Sequence, residues 1–201
     1  MKEGSYHHGD LRNTLIENGI ELINEQGIGG FSLRRVAARC GVSHAAPYSH
    51  FKDKDDLLSA MAEHVTQQFA DRLRGAVEAA EEPDSELERV GTAYIAFFEE
   101  HPAYFPFLFY HSGIDIHVNG ETDVHAAYPP FEVFRGTARR AFRKTGLPPE
   151  RDASMLMAVW SSAHGIASLI TARPIHYAGN WREIWQVILQ SGGRSNETDR
   201  T

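Results

Sequence analysis

The chain has 201 residues, 42% of them hydrophobic, 10% aromatic and 23% charged, with a formal net charge of −7. That length fits one domain or a small domain joined to a larger one, and the composition is that of a globular protein rather than a disordered one. The single cysteine, Cys40, excludes an internal disulfide and points to a reducing cytoplasm. The longest uninterrupted apolar run, Ala103 to Tyr110, falls well short of the ~20 residues a membrane helix needs. The first ten residues carry no apolar stretch of signal-peptide kind, so the expectation is a soluble intracellular protein.

The first element is a helix opening at Asp10, its expected N-cap. Leu11, Leu15, Ile16, Ile20 and Ile23 follow helical spacing up to a stop at Gly27. After the turn Ile28-Gly29-Gly30, Ser32 caps a short helix from Leu33 to Cys40, which places Leu33, Val36, Ala37 and Cys40 on one face. Gly41-Val42 breaks that helix, and Ser43 caps another short piece reaching about His50. Asp53 then opens a long helix from Lys54 towards Ala80. Beyond a boundary at Glu82-Pro83-Asp84, a helix is expected from Asp84 to Glu100. A short aromatic helix follows from Pro102, with Tyr104, Phe105, Phe107, Phe109 and Tyr110. Ser112 to Asp123 reads as a loop. Helices over Val124–Thr145, kinked or delayed by Pro129-Pro130, over Glu150–Ala172, and over Trp181–Ser191 up to a stop at Gly192-Gly193 complete the pattern. The fold class is all-α.

Net acidity hides a local asymmetry. Between Ser32 and Lys54 the cations Arg34, Arg35, Arg39, Lys52 and Lys54 face only Asp53, with His44 and His50 in the same stretch. DNA binding depends on such a patch rather than on total charge. Helix, glycine-containing turn and short helix form the helix-turn-helix arrangement. Ala37 is small where helices cross, Gly41 is free to take positive φ, Val42 fills the space between helices, and the second helix offers its N-terminal side chains to the major groove. The pattern alone also fits two short helices packed in some other all-α protein.

The run Phe31-Ser32-Leu33-Arg34-Arg35-Val36-Ala37-Ala38-Arg39-Cys40-Gly41-Val42-Ser43, followed by Tyr48-Ser49-His50-Phe51-Lys52-Asp53-Lys54-Asp55-Asp56-Leu57-Leu58, resembles the DNA-binding domain of TetR-type transcriptional regulators. Further on, Trp160-Ser161-Ser162-Ala163-His164-Gly165 resembles the signature of the WHG-type C-terminal domain found in a subset of them. The resemblance implies residues 1–64 as a three-helix DNA-binding domain, 65–193 as a helical effector-binding and dimerisation domain, and 194–201 as a tail. It makes His44 to His50 the recognition helix, with Ser43, His44, Ala45 and Tyr48 nearest the DNA. Tyr48 and His50 would touch its backbone, as would Ser32 and Arg34, and Lys54 would meet a phosphate. Arg35 belongs to the same candidate set, whereas Arg39 fits a solvated face equally well. Pro47 departs from the expected helix, since it removes an N–H and disfavours helical geometry at Ala46. Tyr6-His7-His8-Gly9 is an arm towards the DNA or mere disorder.

The resemblance also implies a homodimer through the last two helices, bound to a palindromic operator on double-stranded DNA. The small residues Ser161, Ser162, Ala163, Gly165 and Ala167 suit such an interface; the stripe Trp181, Ile184, Trp185, Ile188 and Leu189 is interface or plain core. Candidate effector contacts are Phe97, Phe98, Tyr104, Phe105, Phe109, Tyr110, Phe131, Phe134, Met155, Trp160 and His164, for a small, mostly apolar effector. Its binding would shift populations through the helix from Lys54 and change the spacing of the recognition helices. No catalytic motif, cofactor or bound metal is expected. Of the eleven histidines, His101, His111, His117 and His125 surround the loop without ligand spacing. A metal-sensing regulator using them, or a helical adaptor that does not bind DNA, are the alternatives.

Overall fold

A computed structural model describes residues 8–80, 82, 85–117, 128–172 and 174–194. Among these there are eight α-helices, α1 to α8, and no strand. The chain divides into two compact units, one of residues 1–66 with 106–114 and the other of 67–105 with 115–201.

In the first unit α1 (His8–Gln26) buries Leu15, Ile16, Ile20 and Ile23, the stripe its sequence spacing predicts. It opens two residues before the expected cap, so Asp10 lies inside the first turn. The chain leaves the helix at Gly27, whose N–H donates to the Ile23 carbonyl at 2.7 Å. A 3-10 turn, Ile28–Gly30, leads to α2 (Leu33–Arg39). Ser32 caps α2, its Oγ accepting from the Arg35 N–H at 3.3 Å. Leu33, Val36 and Ala37 are buried on α2 and Cys40 is half-buried just beyond it, with burial pushing its thiol pKa up. Gly41 takes φ +69°, a turn conformation only glycine adopts without strain.

The next element differs from the expected helix over His44–His50. It is a single 3-10 turn, Ala46–Ser49, with Pro47 buried at its start. Pro47 has no N–H to donate to Ser43. The turn is instead held by i→i+3 bonds from Ala46 to Ser43, Tyr48 to Ala45 and His50 to Pro47. Asp53 then caps α3 (Lys54–Glu78), its Oδ1 accepting from the Asp56 N–H at 2.9 Å, while Asp56 Oδ2 accepts from the Lys52 N–H at 2.8 Å. Leu57, Met61 and Val65 of α3 complete this core, with Phe31 and Phe51. The π-helical turn Phe107–His111 belongs to the same unit, with Phe107 and Leu108 fully buried.

The second unit holds Phe69, Ala70 and Leu73 of α3, together with α4 (Glu86–Glu100), α5 (Tyr104–Pro106), α6 (Pro129–Lys144), α7 (Asp152–Thr171) and α8 (Trp181–Arg194). Helix α4 is its centre and packs against α6, α7 and α8. Trp185 of α8 is fully buried on Gly91 of α4, so close that a Cβ at Gly91 would lie 2.1 Å from the indole Cε2. Its Nε1–H donates to the Glu88 carbonyl at 3.0 Å. Trp185 is therefore core. Trp181, Ile184, Ile188 and Leu189 of the predicted stripe are half-buried, and Val187 is 59% exposed.

Several expected boundaries shift for identifiable reasons. Helix α6 opens at Pro129 after an extended Tyr128, so the prolines delay it rather than kink it. Pro148-Pro149 sets a 3-10 turn over Pro149–Arg151, and α7 starts only at Asp152. Gly192 and Gly193 do not stop α8, which continues to Arg194, since a glycine ends a helix only when it leaves the helical conformation. The segment Pro149–Thr171 is long and apolar enough to cross a membrane, against the expectation drawn from uninterrupted runs, because Ser161, Ser162, His164, Gly165 and Ser168 interrupt its apolar residues only briefly; 28% of its most apolar 18-residue window is buried within the chain. The expectations for Tyr6, His7, Pro83, Asp84, His125, the 118–127 segment, Arg173 and the tail beyond Arg194 lie outside the described residues.

Candidate nucleic-acid interface and aromatic core

Within the first unit the turn between α2 and the 3-10 segment leaves Ser43, His44 and Ala45 exposed to solvent, with Tyr48 61% exposed. Pro47 anchors this segment from inside while its neighbours point outward. Arg34 is exposed on α2. Arg35 is also exposed, but its Nη1 donates to the Gly30 carbonyl at 2.8 Å and to Gln26 Oε1 at 2.9 Å, bracing the end of α1. Lys54 is half-buried, its ammonium 3.3 Å from the Ile28 carbonyl and 5.7 Å from the centre of the Phe31 ring. Ser32 spends its hydroxyl on the cap. His50 lies half-buried beside Phe51, and its Nε2 is buried with no hydrogen-bond partner. Arg39 is committed elsewhere, reaching Glu21 at 2.7 Å and both oxygens of Glu25 at 2.7 and 2.9 Å, which raises its pKa further. Two residues that the sequence did not single out support this unit: Arg12, 5.3 Å from the Phe51 ring centre, and Glu17, 2.8 Å from His64 Nε2.

In the second unit the candidate effector residues form one continuous aromatic cluster. Phe97, Phe98, Tyr104, Phe105, Phe131 and Phe134 are buried, and Met155, Trp160 and His164 are half-buried. Phe98 meets Phe105 at 5.1 Å, Phe105 meets His164 at 4.9 Å, His164 meets Trp160 at 5.1 Å, and Trp160 meets Phe131 at 5.3 Å. Edge-to-face and tilted pairs at these spacings are the favourable aromatic arrangements. Phe109 and Tyr110 belong to the first unit, and Tyr110 is 66% exposed.

The polar centre of the cluster is a hydrogen bond between the Tyr94 hydroxyl and His164 Nδ1, at 2.8 Å. Burial pushes the His164 pKa down to about 4, keeping the ring neutral at pH 7, and pushes that of Tyr94 up. Tyr94 was missed from sequence, although it lies three and four residues before Phe97 and Phe98 on one helical face. Among the described residues no group of three or more His, Cys, Asp or Glu side chains is placed to hold a metal ion, and His117 lies 3.2 Å from Asp115 alone.

An α1–α2 pair, a glycine turn and an outward-facing short element form a helix-turn-helix arrangement within the first unit. Residues 15–61 match the model of the tetR family of bacterial regulatory proteins, and residues 87–191 match that of the tetracyclin repressor-like C-terminal domain. The chain belongs to the tetR family. The chain is thus a member of a family of bacterial regulatory proteins, with a tetracyclin repressor-like C-terminal domain. The tetracycline repressor protein class A from transposon 1721 of Escherichia coli is 45% identical over 51 residues, 25% of this chain and 24% of that protein. The regulator BetI of Escherichia coli O45:K1 is 33% identical over 76 residues, 38% and 39% of the two chains. The chain thus spans less than half the length of these curated relatives. A protein of unknown function from Rhodococcus sp. RHA1 superposes with a TM-score of 0.71 at 27% identity, covering 96% of this chain and 98% of its own. A putative transcriptional regulator from Pseudomonas aeruginosa PAO1 superposes with a TM-score of 0.74 at 19% identity, covering 98% and 96%, a likeness of fold.

Proposed function

We propose that this regulator is a repressor that binds a palindromic operator as a homodimer and is released by a small, mostly apolar effector. The observation that carries the reading is the outward presentation of Ser43, His44, Ala45 and Tyr48 on a segment anchored by buried Pro47, next to exposed Arg34. In this reading Ser43, His44 and Ala45 reach base edges, and Tyr48 touches the DNA backbone. Arg34, Lys54, His50 and Ser32 serve the DNA backbone, and Arg35 acts mainly by bracing the domain. Residues 1–64 form the DNA-binding domain, 65–193 the effector-binding and dimerisation domain, and 194–201 a tail. The string from Trp160 to Gly165 supports assigning the second domain to the WHG type.

Dimerisation through α7 and α8 is supported by the apolar surface that one chain leaves uncovered on α7 and by Val187 and Leu169, 59% and 40% exposed. Covering that surface with a second copy also fits a protein that works in the cytoplasm. The effector reading rests on the aromatic cluster around His164 and Tyr94. A ligand favouring one recognition-segment spacing would weaken DNA binding by its differential affinity for the two states, ~1–3 kcal/mol. The test is fluorescence anisotropy on DNA from the gene's own upstream region over a salt series, with unrelated DNA as competitor. Binding ~10³-fold or more above competitor supports the reading. Absence of binding at low salt would overturn it for the ligand-free protein.

A further inference from the structure

The cations of the first unit differ in what holds them. Arg39 is paired with Glu21 and Glu25, Arg35 donates to the Gly30 carbonyl and to Gln26, and the Lys54 ammonium lies on the Ile28 carbonyl. Arg12, in the first turns of α1, is of another kind. It is exposed and makes no hydrogen bond or ion pair among the described residues, yet its guanidinium carbon lies over the Phe51 ring, 5.3 Å from the centre. That ring is fixed. Phe51 is 2% exposed, and its N–H donates at 2.9 Å to the carbonyl of Pro47, the buried anchor of the 3-10 turn. Lys52, the next residue, is exposed, and its ammonium also has no partner among the described residues.

A guanidinium held over an aromatic ring is ordered by its face, while the N–H donors along its edge stay unused. The acids that follow Phe51 do not take them up. Asp53 and Asp56 accept the backbone N–H groups of Asp56 and Lys52, at the start of α3, where they offset the positive end of that helix; Asp55 is exposed. We propose that Arg12 is a phosphate contact of the DNA interface, poised by Phe51 and acting together with Lys52. The phosphodiester backbone of double-stranded DNA supplies what the pair lacks: an anion whose two free oxygens accept from the planar edge of one guanidinium. Helix α1 thereby adds a contact from outside the stretch between Ser32 and Lys54. The inference rests on the DNA-binding reading above and extends it to an element that reading leaves out.

The experiment is fluorescence anisotropy of the full chain on a random-sequence duplex over a salt series, because non-specific affinity reports the number of phosphates neutralised. Arg12→Met keeps an apolar cover on Phe51 and removes the charge. It is expected to lower the log–log salt slope by about 0.9 and to weaken binding ~8-fold near 0.1 M salt. Arg12→Gln, a second neutral variant checked like the first for native helicity, is expected to do the same. Arg12→Lys, which keeps the charge and loses the planar fork, is expected to restore the slope. Arg39→Met, which removes a cation already held by two glutamates, is expected to leave the slope unchanged. Slopes equal to wild type in the neutral Arg12 variants overturn the proposal. So does an equal fall in Arg39→Met, which would make the effect one of net charge, or a fall in Arg12→Lys as large as in Arg12→Met. Absence of wild-type binding at low salt overturns this proposal together with the DNA-binding reading, whereas wild-type binding with unchanged slopes overturns this proposal alone.

Discussion

Replacing Gly91 by alanine sets a methyl group against a side chain that has nowhere to go. The new Cβ would lie 2.1, 2.2 and 2.4 Å from Cε2, Cζ2 and Nε1 of the Trp185 ring. Ordinary carbon contacts begin near 3.5 Å, so the indole must retreat by about 1.4 Å. Trp185 is fully buried, and its Nε1–H is held by the Glu88 carbonyl at 3.0 Å, so retreat also breaks that hydrogen bond. Overpacking costs ~1–3 kcal/mol and the lost bond ~1 kcal/mol, against a gain of ~0.5–1 kcal/mol from replacing a helical glycine. The expected net loss is ~2–3 kcal/mol, read from urea unfolding followed by circular dichroism at one fixed protein concentration. Trp185→Leu removes the obstructing ring at its own cost of a cavity. On that background Gly91→Ala should cost nothing or stabilise, because the methyl now fills space. A Gly91→Ala variant within ~0.5 kcal/mol of wild type, or an equal cost on both backgrounds, would refute the reasoning.

Three further outcomes are expected. Arg34→Ala should weaken binding to all DNA sequences alike and lower the log–log salt slope by about one, whereas Arg39→Ala should leave the slope unchanged because its guanidinium is held by Glu21 and Glu25; anisotropy at four salt concentrations separates them. Burial holds the His164 pKa at about 4, below the 6.5 of free histidine. The unfolded chain therefore takes the proton first, and stability present above pH 6.5 is lost as pH falls from 6.5 towards 4. After allowance for its partial exposure this amounts to up to ~2 kcal/mol, and His164→Gln should flatten that part of the stability profile; an identical profile in the variant would assign the slope to other groups. Val187→Glu places a charge on the uncovered face of α8. Light scattering should then report monomer mass with helicity retained, and an unchanged dimer mass would move the interface elsewhere.

Much of the fold is legible in the sequence where a local rule acts alone. The stripe from Leu15 to Ile23, the Ser32 and Asp53 caps and the Gly41 turn all follow from spacing and side-chain chemistry within a few residues. Pro47 announces a disturbance of its helix, and the missing N–H converts the expected α-helix to a 3-10 turn. Non-local partners are less legible. Nothing near Arg39 in sequence says that two glutamates one turn apart on α1 will claim it. Nothing near Trp185 says that Gly91, far away in the chain, will receive its ring and remove it from the stripe offered for dimerisation. The aromatic residues are the reverse case. Their buried character is evident from composition, yet the Tyr94–His164 hydrogen bond that gives the cluster its polar centre depends on how α4 meets α7.

The 3-10 turn at Ala46–Ser49 also limits how much a half-site can be told apart by this segment. One 3-10 turn of three residues rises about 6 Å, with residues three apart eclipsed, so Ala45 and Tyr48 stand one above the other. A base-pair step is about 3.4 Å. In the proposed reading the turn itself, apart from Ser43, His44 and Ala45 ahead of it, would face about two base pairs, each worth at most about two bits when read by its edge. Two half-sites would carry about eight bits, a pattern met by chance about once in 256 positions. In that reading the rest of the address would fall to Ser43, His44 and Ala45 and to the stiffness and groove width of the flanking DNA, which backbone contacts would sense without reading a base.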